Sequence, residues 1–160
     1  MPNDGSLASK TEQWIADQVA ALTQFADGTV EVYPGSTHPD GQQVIDEMLA
    51  NRSPYCTVLF SGDVPIPLEE GQSAYEPTYE LYVAIQNERQ GSARKGDGTT
   101  PGTNLIRDLL RNALHDKYPN QTANGFYTDR TEFRGARIAF QRADAFVMLA
   151  TCVVRESPAA

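Results

Sequence analysis

The sequence predicts an α+β fold: a mixed, largely antiparallel sheet with helices packed on one face. Three observations carry this. Segments 55–61, 79–86 and 145–155 read as strands, and three other segments repeat apolar residues at the i, i+3/i+4 spacing of a helix. Their order is α, β, α, β, β, α and then two or three strands, so adjacent strands are interspersed with helices rather than alternating strictly with them.

In the opening helix Ser9 and Glu12 have the spacing of a capping box, and Ile15, Val19, Leu22 and Ala26 form an apolar face widened by Trp14 and Phe25. Gly28 ends it. Residues 29–33 alternate as a short strand stopped by Pro34-Gly35, and Val44, Ile45, Met48 and Leu49 mark a second short helix broken at Ser53-Pro54. Segment 55–61 is apolar on both faces, which places it in the middle of the sheet. Residues 62–77 hold Pro65, Pro67 and Pro77 and read as a long connection.

Tyr79, Leu81, Val83 and Ile85 alternate with Glu80, Tyr82, Ala84 and Gln86, which predicts a half-buried strand. Residues 87–102 follow, with four glycines, Pro101 and the cations Arg89, Arg94 and Lys95, a composition that reads as an exposed loop. Thr103 is then an N-cap, with Leu105, Ile106, Leu109, Leu110, Ala113 and Leu114 on the buried helix face. Asn104, Arg107, Asp108, Arg111, Asn112 and His115 lie opposite. After a polar segment at 116–125, residues 126–133 are a weak, polar strand candidate, residues 136–141 alternate well, and 145–155 is the longest apolar run. Residues 1–160 form a single domain by length, with 1–8 and 157–160 expected to fray.

The net charge of −8 conceals an asymmetry. Residues 1–80 hold two cations, Lys10 and Arg52, against thirteen carboxylates, a net of −11; residues 81–160 hold eleven cations against eight carboxylates, a net of +3. Such halves suit head-to-tail contacts between subunits if folding keeps them apart in space. The overall acidity argues against simple nucleic-acid binding. Cys56 and Cys152 sit in apolar runs and read as buried free thiols, and no stretch approaches a membrane span. Residues 1–10 lack the pattern of a signal peptide, so a soluble, intracellular protein is expected.

Catalytic patterns are missing. Gly91 and Gly96 have the spacing of a phosphate loop, but Asp97 and Gly98 stand where Lys and Ser or Thr are needed, and Lys95 is displaced. His38 and His115 are the only histidines, with His115 near a helix C-terminus, where a cation favours the helix dipole. Ser61-Gly62 is not set in a nucleophile elbow. Asp63, Glu69 and Glu70 admit a metal-dependent hydrolase, with a solvated acidic loop as the plainer reading. The cations remain: Arg107 and Arg111 at i, i+4, with Arg89, Arg94 and Lys95, form either a surface for an acidic partner or a solvated face.

In its order of elements the chain resembles the tail-terminator or tail-completion proteins of Mu-like contractile-tailed phages and prophages. The resemblance runs through the opening helix into Val30-Glu31-Val32-Tyr33-Pro34-Gly35, the apolar strand at 55–60, and Val83-Ala84-Ile85-Gln86-Asn87. It continues in Arg94-Lys95-Gly96-Asp97-Gly98, the helix Asn104-Leu105-Ile106-Arg107-Asp108-Leu109-Leu110 and the closing apolar strand. It implies a virion protein assembled in the host cytoplasm as a ring, commonly a hexamer, that caps the tail tube, ends its polymerisation and offers a surface to neck or connector proteins and to the sheath. DNA would pass through without being read; no cofactor, metal or catalytic residue is implied. Arg89, Arg94, Lys95, Arg107 and Arg111 are then the expected subunit or tail-tube contacts. Another neck or head-to-tail connector is the nearest alternative.

Overall fold

The alternating segment around Tyr79 forms a central strand of one mixed sheet. A computed structural model of the chain describes residues 5–35, 39–51, 53–86, 102–142 and 145–159. Within them the strands are β1 (Val30–Val32), β2 (Tyr55–Gly62), β3 (Pro65–Pro67), β4 (Ser73–Tyr75), β5 (Thr78–Gln86), β6 (Thr122–Ala123), β7 (Phe126–Arg142) and β8 (Ala145–Pro158). The helices are α1 (Leu7–Ala20), α2 (Gly41–Met48) and α3 (Thr103–Leu114). β1 runs parallel to β2; β2–β5, β5–β8, β8–β7 and β7–β6 are antiparallel. The fold is therefore α+β with a largely antiparallel sheet.

β5 is buried on both faces rather than one. Tyr79, Leu81, Val83 and Ile85 pack with Ile15 and Val19 of α1 and Ile106, Leu110 and Leu114 of α3. Tyr82 and Ala84 point the other way, to Val44, Ile45 and Met48 of α2. The expectation of helices on one face holds for α1 and α3, while α2 lies on the opposite one. The cause is in the strands: Tyr55 and Leu59 of β2, and Val147 and Leu149 of β8, place a second apolar set on that face, and it needs its own cover.

The proline-rich stretch is not an irregular connection. The register Gly62↔Thr78 continues in step to Pro65↔Tyr75 and Pro67↔Ser73, and β4 pairs with β8 at Tyr75↔Glu156, in step with Thr78↔Val153. β2–β3 and β4–β5 are thus the two arms of one long hairpin, closed where the Leu68 N–H donates to the Gln72 carbonyl at 2.8 Å. Val64 and Glu76 exchange backbone hydrogen bonds, so their neighbours Pro65 and Pro67 occupy positions whose nitrogen points away from the partner strand. Proline is tolerated at such edge positions because no ladder donor is lost.

The helix caps also differ from the sequence reading. Ser6, not Ser9, caps α1, its side chain accepting from the Ser9 N–H. Gly102, not Thr103, holds the cap position of α3. Glu12 is used elsewhere. The Cys56 N–H donates to the Thr29 carbonyl and the Tyr33 N–H to the Val58 carbonyl, but Pro34 then ends β1, and the Phe60 N–H donates to Glu12 Oε2 at 2.8 Å. A helix carboxylate has taken over the next rung of the ladder. Glu12→Ala is expected to lower stability by about 1–3 kcal/mol, the cost of leaving a partly buried donor unmet, whereas Glu12→Gln keeps an acceptor and loses less; urea denaturation of both variants measures the difference.

β7 unites the two separate candidates at 126–133 and 136–141. Irregular register between Thr128 and Thr131, Phe133 and Ala136, and Ile138 and Phe140 resets the alternation along it, with Gly135 at φ +101° inside the second break. Near the chain end Ser157 is buried and donates to Asp129 at 2.6 Å, and the Ala159 N–H donates to the Gly125 carbonyl.

Candidate interaction surface

α3 separates its residues sharply. Ile106, Leu110 and Leu114 are fully buried, while Leu105, expected on the same face, is 48% exposed. Arg107 and Arg111 lie on the outer face with Asp108 between them: Arg107 reaches its carboxylate at 2.9 Å and Arg111 at 3.7 Å, all three about half-exposed. Asp108 thus offsets the like-charge pair in place. Arg89, Arg94 and Lys95, the phosphate-loop-like stretch 91–98 and His38 lie outside the described residues.

After α3 the chain runs along the outer edge of β7. The Asp116 N–H donates to the Thr131 carbonyl, the Thr131 N–H to the Lys117 carbonyl at 2.7 Å, and the Thr128 N–H to the Gln121 carbonyl. The Thr131 hydroxyl donates to the Leu114 carbonyl at the end of α3. The His115 Nδ1 accepts the Phe133 N–H at 3.1 Å.

β7 also assembles arginines that sequence spacing did not group: Arg130, Arg134, Arg137 and Arg142. Arg130 pairs with Asp116 at 3.0 Å, and Arg134 bridges Glu76 at 2.5 Å and Glu132 at 3.3 Å. These pairs border an open groove of about 770 Å³ lined by both signs of charge, among them Glu76, Asp116, Asp129, Arg130 and Arg155. Such a lining is suited to polar contact and has no single preferred ligand charge. At the opposite end of the sheet, β1 and α2 carry Glu31, Asp46 and Glu47, with Asp40 capping α2. Here the Tyr33 hydroxyl is held by Glu47 at 3.5 Å and Gln43 at 3.4 Å. The β1 and α2 end is therefore acidic, while β7 carries both signs, and the Arg134–Glu76 pair joins the acidic and basic halves of the sequence rather than keeping them apart.

Asp63, Glu69 and Glu70 are exposed, and among the described residues no three His, Cys, Asp or Glu side chains gather to hold a metal ion. Both cysteines are buried and free; burial pushes the Cys152 thiol up to about 12 and Cys56 higher still, so neither is poised as a nucleophile. Glu156 is a carboxylate clearly displaced from its usual range. Burial, reinforced by Asp63, raises it. The folded chain then holds that proton more tightly than the unfolded chain, so stability falls as pH rises from about 4.3, the ordinary glutamate value, through the raised one, and the penalty persists at neutral pH. Glu156→Gln is expected to raise the melting temperature by about 1–3 °C at pH 7, with the gain lost below about pH 4.

Among the described residues no helix is long and apolar enough to cross a membrane. The chain matches no known protein-family model and no curated protein sequence.

Proposed function

We propose that the chain is a phage tail-terminator protein: a structural virion component that closes as a ring, most simply a hexamer, on the end of the tail tube. The ring stops tube growth and presents a surface to the neck or connector proteins and to the sheath, and DNA passes through its centre unread. One observation carries the reading most: the two edges of a single sheet are unlike, with carboxylates at β1 and α2 and, on β7, four arginines of which Arg130 and Arg134 are already paired within the chain, and unlike edges suit a head-to-tail contact. The resemblance in element order supports it, as does the half-exposed pair Arg107 and Arg111, which offers a cationic face on an acidic chain.

In this reading Arg107 and Arg111, with Arg89, Arg94 and Lys95, contact a neighbouring subunit or the tube. The chain acts by assembly rather than catalysis. Incubating it with purified tail tubes and imaging them by electron microscopy tests the reading. Rings seated on one end of the tube, with growth blocked when free tube protein is added, are expected. Binding to the capsid portal and not to tubes would favour the connector alternative instead.

A further inference from the structure

The outer edge of β7 is half covered. Segment 116–121 bonds to it as far as Thr131, and His115 takes the Phe133 N–H; beyond that point no described residue does so. The Val154 N–H donates to the Pro77 carbonyl, so even-numbered residues of β8 bond to the β5 side and odd-numbered ones to β7. In the β7–β8 register Thr131 and Phe133 face Val154 and Cys152, and their backbone groups point outward, as their observed partners show. Ala136 and Ile138 face Ala150 and Met148 and inherit that outward orientation. Their N–H and C=O groups therefore project from an open edge, and the Ile138 side chain beside them is 52% exposed.

β1 is the edge at the other end of the sheet. Thr29 and Tyr33 turn their backbone groups toward β2, so Val30 and Val32 present theirs outward. Each edge thus offers a short run with two outward-facing residues, ended on β7 by the register break after Ile138 and on β1 by Pro34. The charges match as well. Arg137 stands on the open part of β7, while Glu31, Asp46 and Glu47 stand at β1 and α2. Two β7 edges meeting each other would instead set arginines against arginines.

We propose that residues 136–138 of one copy add to the β1 edge of the next, so that the sheet continues from subunit to subunit. This rests on the ring reading above and deepens it: the contact is heterologous, uses opposite ends of one sheet, and leaves the outer face of α3 available for the tube.

Cross-linking tests it. Gln43→Cys on α2 and Arg142→Cys on β7 introduce exposed thiols at the two ends on the same face of the sheet, and the buried Cys56 and Cys152 stay unreactive toward a short bismaleimide. At a concentration where light scattering shows the wild-type chain assembled, alone or on tail tubes, the double variant should give a ladder of covalent oligomers, and each single variant should remain uncross-linked. A cross-linked dimer from Arg142→Cys alone would overturn the proposal in favour of edge-to-like-edge pairing. Assembled wild type with no ladder from the double variant would overturn it while leaving the ring reading intact. A chain that stays monomeric with and without tubes would overturn both. Ile138→Pro provides a second measurement, because it removes an outward N–H that no described residue uses. It should weaken assembly at least about tenfold with an unchanged circular dichroism spectrum, and undiminished assembly would count against the proposal.

Discussion

Replacing Arg107 and Arg111 together by glutamate is expected to weaken assembly with the neighbouring subunit or the tube at least about tenfold, with little loss of fold. The two arginines are about half-exposed and their only partner among the described residues is the exposed Asp108, so within the monomer the change removes weak surface pairs. Three clustered carboxylates add about 0.2–0.5 kcal/mol of repulsion per like pair, small beside the stability of a domain. Across an interface the same reversal sets like charges against each other at a cost of several kcal/mol. Arg107→Gln with Arg111→Gln should fall between wild type and the reversal. Sedimentation of each variant with tail tubes gives the comparison; a reversed variant that assembles like wild type would remove α3 from the interface.

The second large effect is in the core. Leu110→Ala should lower stability by about 2–5 kcal/mol, because the side chain is fully buried between α3 and the sheet and its removal leaves a cavity. At roughly 2–4 °C per kcal/mol for a chain of this size, its melting temperature should fall by about 4–20 °C. Leu105→Ala is the control. Sequence periodicity puts both leucines on the buried face, but Leu105 is 48% exposed, so its loss should change stability by no more than about 0.5 kcal/mol. Thermal melts of the pair report whether α3 is rotated on the sheet as described.

That contrast shows what could be read in advance. β2, β5 and β8 were legible as strands because their apolar residues pack on a pleated surface, and α3 was legible from its spacing. The second helical layer was hidden in plain composition: strands apolar on both faces require two covers, a condition that alternation in 79–86 alone does not express. The β3–β4 extension was masked by prolines, whose meaning as edge residues appears only once the pairing partner is known. β7 looked like two strands because its register breaks reset the period of two, and for the same reason Arg130, Arg134, Arg137 and Arg142 fall at spacings that signal no common face. Arg107 and Arg111 were legible as a pair, since helical spacing alone puts them together; the bridging role of Asp108 needed coordinates.

The most direct test of the ring is the solution mass of the chain by light scattering across a concentration series, with and without purified tail tubes. A discrete closed oligomer, six copies in the simplest case, or a monomer that becomes a ring only at tube ends, is the predicted result. A strict monomer indifferent to tubes at every concentration would contradict it.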